Sequence, residues 1–477
     1  MNHSFQLVDP LTDRTYSKLY ILKLSMQIRA RADENTSGKL MLSLVIAERA
    51  ELAKWLLAAL CVDCIVNVIN PDIPEDGIHR ACEQAGTHWL VTDKDLNGVF
   101  SGKVTQINKQ GGEQVLTGDD QLDDQLKGSL LIFTSGTTGT PKGVEVTCEQ
   151  MKYNVGVAVK AFGFDNQWIA ASVLPLFHTF TLISDLLTMW TVEGKVVICP
   201  NFIMQTVGQV VTAMSRYRVN SYSGVPVIFQ VMSRFANAEQ MQSIKLAIAG
   251  AAPLSEQTRE AYKALGHQII PCYGLSESTC FTCISPITDI RPGSVGKPAG
   301  LNLKVVDTNT GDEVPAGERG EIVIKGDSVF RNGYWKQSAT ADSHYLNGYF
   351  KTGDTGYLGD DGFLYITGRQ KNMLIKGGEK YYLEDFDRVL SDLDSLDDVA
   401  CVVTSINDNS DDYICCMVAK PELCKEEIRN KVYACIGQAF DRKVTPANIA
   451  FVDAIPRTPT GKALLHDLRK MIEVRAS

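Results

Sequence analysis

The segment Phe133-Thr-Ser-Gly-Thr-Thr-Gly-Thr-Pro-Lys-Gly143 concentrates groups suited to holding a polyphosphate. Gly136, Gly139 and Gly143 free the backbone to turn N–H groups inward around an anion, and the Ser and Thr hydroxyls add donors in little space. Lys142 adds a point charge. The spacing is not that of a Walker A loop, because Pro141 stands where that loop needs the glycine before its lysine, so P-loop kinase and GTPase readings fail. A flexible linker fits poorly too: the loop follows an apolar run at 130–135 and ends in Pro-Lys-Gly.

Other chemistry-bearing groups recur downstream. Tyr273-Gly-Leu-Ser-Glu-Ser278 sets a carboxylate, Glu277, between hydroxyls; Thr352-Gly-Asp354 precedes Gly368-Arg369; and Pro456-Arg-Thr-Pro-Thr-Gly-Lys462 puts a lysine in a loop ahead of a helical pattern. These motifs, in this order with the phosphate loop, resemble those of the AMP-forming, adenylate-forming ligases. That superfamily holds acyl- and aryl-CoA synthetases, peptide-synthetase adenylation domains, acyl-carrier-protein ligases and luciferases. The resemblance runs from roughly residue 40 to the C-terminus.

The resemblance implies attack of a carboxylate on the α-phosphorus of ATP, giving an acyl-adenylate and pyrophosphate, then transfer of the acyl group to a thiol. It implies nucleotide contacts from Thr134, Ser135, Gly136, Thr137, Thr138, Gly139 and Lys142 at the phosphates. Gly250, Ala251 and Ala252 would lie against adenine, with Tyr273, Gly274 and Ser276 nearby, and Asp354 and Arg369 would meet the ribose. Glu277 would hold Mg²⁺, which suits an ion that takes few carboxylates beside phosphate oxygens. Lys462, Thr138, Glu277 and His178 are the implied catalytic set, and Lys371 occupies the hinge position. Gly377, Gly378 and Glu379 resemble the turn lining the pantetheine path of CoA or of a carrier protein's phosphopantetheine.

For the acid, Leu174-Pro-Leu-Phe-His178 resembles a segment that closes over the acyl group, and His178 reads equally well as a core histidine. Phe180, Val225, Ala249 and Cys283 occupy stretches that line the acyl pocket in relatives. All are apolar, which favours a fatty or aromatic acid over an amino acid. Departures leave the acceptor open between free CoA and a carrier protein. Leu383-Glu-Asp-Phe-Asp387 stands where the family has Pro-x-Glu-(Ile/Val)-Glu, and Lys380-Tyr381 replaces the common Asn-(Ile/Val). An amino-acid adenylation enzyme and a luciferase-like oxygenase use the same motifs and remain the alternatives.

The elements that must position these groups follow from pattern. Strand and helix signals alternate to about residue 280, favouring α/β units, and the texture changes to hairpins beyond 300. Thr147 with Gln150 is a capping box, and Ser255 can cap a helix at 256–265. Asp361-Gly362 is a hairpin turn signal, and polar residues 407–412 separate two strand patterns. Helical spacing recurs at 422–438 and 463–474. The expected fold class is α/β: a large N-terminal domain, residues 1–369, of αβ-layered subdomains plus a β-barrel-like part, and a small mobile α+β lid, residues 370–477. At 477 residues the chain is compact for this superfamily, with the shortfall on the N-terminal side.

Composition sets the frame. With 47 Lys+Arg against 56 Asp+Glu the net charge is −9, which argues against nucleic acid as a partner and mildly against an acidic carrier protein. Hydrophobic content of 44% is that of a globular protein rather than a disordered one. No secretory signal is visible, and the most apolar run, 55–69, is too short to span a bilayer. The 13 cysteines lie mostly in apolar segments, and neither Cys61/Cys64 nor Cys280/Cys283 has a second ligand pair at zinc spacing. A reducing cytoplasm is the expected setting.

Overall fold

The computed structural model describes residues 4–35, 38–96, 103–107, 123–134, 141–337, 344–376, 379–391, 393–407, 410–420, 424–440, 446, 448–457 and 463–476. Packing divides the chain into two compact units, Met1–Asn302 with Gly326–His344, and Leu303–Lys325 with Tyr345–Ser477.

In the first unit, Leu40–Val45 and Cys64–Val68 are buried at every position, as strands covered on both faces must be. They sit inside a sheet ordered Lys103–Gln106, Trp89–Thr92, Leu40–Val45, Cys64–Val68, Ser129–Thr134, Lys142–Val146. All neighbours pair in parallel except the last two strands, which form the hairpin carrying the phosphate loop. A second sheet runs Lys297–Pro298, Cys283–Ile284, Ile269–Tyr273, Leu246–Ala249, Ser221–Gly224, Ile169–Ser172, Lys195–Ile198, Gln6–Asp9, Arg14–Ser17. Its central strands are parallel, so their C-terminal ends share one edge, where α/β sheets present binding loops.

Local chemistry explains the connecting helices. Thr147 and Gln150 close a reciprocal capping box on Cys148–Phe162, and Ser255 accepts from the Thr258 N–H at the start of Glu256–Ala264. Between two short α-helical stretches the chain Leu182–Leu187 widens into a π-helix, buried at all six positions. Such insertions concentrate near functional sites.

In the second unit, Gly320–Lys325 pairs antiparallel with Tyr349–Leu358, which pairs in turn with Leu364–Arg369. The turn between the last two carries Gly362 at φ +78°, the conformation a glycine takes without strain. Leu396–Asn407 and Ser410–Ala419 form the expected hairpin, joined in parallel by Asn448–Phe451. Leu383–Ser391 and Lys425–Ala439 cover it, burying Phe386, Leu390, Ile428, Val432 and Ile436. The last helix is Leu465–Ala476. The hairpin strands of the β-barrel-like part therefore pack in the same unit as the residues after Arg369.

Candidate active site

Thr134 and Lys142 are register partners at the mouth of the phosphate-loop hairpin, and the Thr134 hydroxyl donates to the Lys142 carbonyl at 3.3 Å. The Lys142 ammonium lies over the ring of Tyr334, 4.6 Å from its centroid. The Tyr334 hydroxyl donates to Glu277 Oε1 at 2.9 Å. The cation of the phosphate loop and the carboxylate of the Tyr-Gly-Leu-Ser-Glu motif thus meet on one tyrosine.

That tyrosine is held by its own backbone. The Phe330 N–H donates to the Glu277 carbonyl at 2.8 Å and the Thr279 hydroxyl to the Ser328 carbonyl at 2.8 Å. Further along, the Trp335 N–H donates to the Gly143 carbonyl at 2.8 Å, and its indole N–H to the Ala85 carbonyl at 3.2 Å. Residues 328–335 therefore tie the turn bearing Glu277 to the strand bearing Lys142. A Cβ on Gly143 would stand 2.7 Å from the Trp335 Cβ, so the glycine permits this approach. Gly274 is more constrained still, since a Cβ there would lie 1.4 Å from the Cys280 carbonyl oxygen.

Around the expected acyl pocket, Val225, Ala249 and Cys283 are buried, and the Phe180 ring packs edge-to-face on Phe281, centroids 6.2 Å apart. A Cβ on Gly250 would meet the Phe180 ring at 3.2 Å and Cys272 Sγ at 3.0 Å, so the turn assigned to adenine abuts the aromatic residue assigned to the acid. Ala251 follows at φ +69°, strained for a residue with a Cβ, and Ala252 completes the turn. His178 Nε2 is buried with no hydrogen-bond partner among the described residues, and burial pulls the imidazole down to about 4, leaving it neutral near pH 7. Its segment is anchored by Arg49, whose Nη2 donates to the carbonyls of Ser172 and Leu174 at 2.9 and 2.8 Å. One turn beyond Phe180, Asp185 accepts from the hydroxyls of Thr181, Ser184 and Ser223 at 3.1, 3.2 and 2.8 Å, and burial raises it to about 7.

The second unit holds its own cluster. Asp354, 5% exposed, faces Arg369 across the hairpin with Nε 2.9 Å from Oδ1. The Thr352 hydroxyl donates to the Ile322 carbonyl at 2.7 Å and accepts from the Asp354 N–H at 3.1 Å, fixing the aspartate's backbone. Burial, then the neighbouring Arg369 charge, lowers Lys371 to about 8. Beside it the Asn372 amide donates to Glu384 Oε1 at 2.7 Å, and burial raises that carboxyl. A Cβ on Gly368 would come within 2.4 Å of Glu384 Oε2, and the residue sits at φ +150°, a conformation that side chains rarely adopt.

Tyr273 ends the strand Ile269–Tyr273, Gly274 follows it, and Ser276 opens the short helix Ser276–Ser278. Ser135, Gly136, Thr137, Thr138, Gly139, Gly377, Gly378 and Lys462 lie outside the described residues, as does the Glu379 side chain. Sequence reasoning passed over Tyr334, Trp335 and Arg49. The aromatic pair after Gly333 was the available signal for the first two, while nothing near Arg49 distinguishes it from a surface arginine opening a helix.

The family profile of AMP-binding enzymes matches residues 41–335, more than half of the chain. The chain belongs to the AMP-binding enzyme family. It is 26% identical to the 4-coumarate–CoA ligase of Pinus taeda, over 98% of this chain and 92% of that one. It is 28% identical to the long-chain-fatty-acid–CoA ligase of Escherichia coli O6:H1 over 72% of this chain, and that match spans 61% of the relative's length. Among solved structures, ATP-bound MatB from Rhodopseudomonas palustris superposes with a TM-score of 0.85 at 21% identity, covering 98% of this chain and 95% of that one, a likeness of fold.

Proposed function

We propose that the chain is an AMP-forming acid–thiol ligase that joins a fatty or aromatic acid to the thiol of CoA. The observation that carries this reading is the meeting of Lys142 and Glu277 on Tyr334, a cation and a carboxylate set at the base of a hydroxyl- and glycine-rich loop. The relatives named as coumarate and fatty-acid ligases support the acid class, as do the apolar side chains of Phe180, Val225, Ala249 and Cys283.

In the first half-reaction a carboxylate oxygen attacks the α-phosphorus, the bond to the β-phosphate breaks, and pyrophosphate leaves. Charge gathers on phosphate oxygens, so what is required is positioning and cationic stabilisation. Lys142 and the loop N–H groups take the β- and γ-phosphates, Asp354 and Arg369 the ribose, and Lys462 the reacting oxygens. Glu277 would hold Mg²⁺, which would supply positive charge against the charge gathering on phosphate. No cluster of three His, Cys, Asp or Glu that could hold a metal occurs among the described residues, and a lone Glu277 suits an ion that brings its remaining ligands with ATP. Neutral, buried His178 closes beside the acyl group without adding charge to an apolar wall.

In the second half-reaction the thiolate attacks the acyl carbon and AMP departs with the electron pair. Rotation of residues 370–477 about Lys371 exchanges Lys462 for the turn at Gly377, Gly378 and Glu379, so one nucleotide site serves both steps. Either CoA or a carrier-protein pantetheine presents the same thiol, and free CoA is favoured by the named relatives. None of the 13 cysteines forms a disulfide, which supports action in a reducing cytoplasm. Among the described residues no helix is long and apolar enough to cross a membrane.

The test is ATP–pyrophosphate exchange over panels of fatty, aryl and amino acids, followed by CoA or a carrier protein with the best acid. Exchange with a fatty or aryl acid and thioester formation with CoA are expected. Exchange only with amino acids, or oxygen consumption in place of CoA consumption, would overturn the reading.

A further inference from the structure

We propose that Tyr334 is a positioning residue for adenylation, acting through its hydroxyl on Glu277 and through its ring on Lys142. The inference rests on the phosphate and metal roles proposed above for those two residues, and goes beyond them in naming what aligns them.

Two separate interactions converge on this side chain. The hydroxyl donates to Glu277 Oε1 at 2.9 Å, which fixes one oxygen of the carboxylate. The ring face lies 4.6 Å from the Lys142 ammonium, in cation–π range. Lysine is a flexible point charge, and a ring beneath it restricts where that charge sits before a nucleotide arrives. Tyr334 is itself constrained: its ring packs at 5.2 Å from Phe330 and at 5.1 Å from the His344 ring. The backbone on either side is pinned by the Phe330-to-Glu277 and Trp335-to-Gly143 hydrogen bonds, both 2.8 Å. A side chain so held, touching one member of each motif, sets the separation between the group that takes metal and the group that takes phosphate. Preorganisation of this kind lowers the cost of ordering both on binding.

The two halves of the role separate by substitution. Tyr334→Phe removes the hydroxyl and keeps the ring over Lys142, whereas Tyr334→Leu removes both. The readout is calorimetric ATP binding to the full-length chain with free Mg²⁺ varied and no acid present, which does not depend on turnover. Tyr334→Phe should raise the Mg²⁺ concentration for half-maximal ATP binding by about 3- to 10-fold, the effect of losing one hydrogen bond, with ATP affinity at saturating Mg²⁺ unchanged. Tyr334→Leu should show the same Mg²⁺ shift and also bind ATP about 3-fold more weakly at saturating Mg²⁺. A Phe variant with wild-type Mg²⁺ dependence overturns the proposal, as does a Leu variant matching the Phe variant at saturating Mg²⁺. The Phe variant keeps the packing on Phe330 and decides the hydroxyl role even where the Leu variant melts early. Glu277→Gln and Lys142→Ala are measured alongside. If both bind MgATP like the wild type, the underlying site reading fails; if both are impaired while Tyr334→Phe is not, only the present inference does.

Discussion

Arg369 and Asp354 are register partners on neighbouring antiparallel strands, with the guanidinium Nε 2.9 Å from the carboxylate Oδ1. The pair holds a nearly buried carboxylate in one rotamer, with its backbone fixed by Thr352. If Asp354 accepts the ribose hydroxyls, Asp354→Asn keeps the shape and loses the charge-assisted bonds. The expected loss in ATP affinity is about 10- to 100-fold, from ~1.5–3 kcal/mol per bond to a charged group. A variant that melts like the wild type and keeps its KM for ATP would remove the ribose role.

His178 predicts an acid-sensitive contribution to stability. Its imidazole is lowered by burial to about 4, against an ordinary value near 6.5. Between those values the unfolded chain takes up a proton that the folded one refuses, so stability falls as pH drops through the window and no further below about 4. Asp185, raised to about 7, slopes the other way: its folded form keeps a proton the unfolded chain releases, so stability is lost as pH rises toward 7. The measurement is therefore a difference. On going from pH 7 to pH 4.5, the urea midpoint of the wild type should shift downward relative to that of His178→Gln, whatever the sign of the common change. A constant difference between the two would show that the imidazole is not buried neutral.

If Lys371 is the hinge, Lys371→Pro should spare pyrophosphate exchange and block thioester formation, because proline fixes one backbone angle there without touching Asp354 or Arg369. Single-turnover assays of the two half-reactions give the answer. Equal loss of both would place Lys371 in the nucleotide site and not at a pivot.

Lys462→Ala should slow adenylate formation by at least ~10²-fold, comparable to losing one oxyanion-stabilising donor. Thioesterification of a supplied acyl-adenylate should survive, since the proposed thiol step does not use that cation. Unchanged pyrophosphate exchange would remove the assignment.

How far the fold was legible depended on whether a signal was local. The Thr147/Gln150 box, the Ser255 cap and the Asp361-Gly362 turn are contacts between residues at most three apart, and each lies where the pattern placed it. Sheet order was not legible: Ser129–Thr134 lies beside Cys64–Val68, a pairing that no short window contains. The packing of Leu303–Lys325 with residues from Tyr345 onward is likewise a long-range relation that no local pattern carries. At the site, motifs carried Lys142, Glu277, Asp354 and Arg369. Tyr334 and Arg49 went unremarked because their roles rest on partners 57 and 123 or more residues away in sequence. The π-helix escaped because Leu182–Leu187 has the composition of any buried helical stretch.

The cysteines leave a practical opening. Eleven of the 13 are buried, Cys435 is partly so, and Cys424 is exposed at the cap of Lys425–Ala439. Burial raises thiols such as Cys61, Cys64 and Cys199 to about 12, which keeps them out of reach of alkylating dyes at neutral pH. A single maleimide fluorophore should therefore find Cys424 in the unmutated protein, giving a native reporter on the segment for which a rotation is proposed.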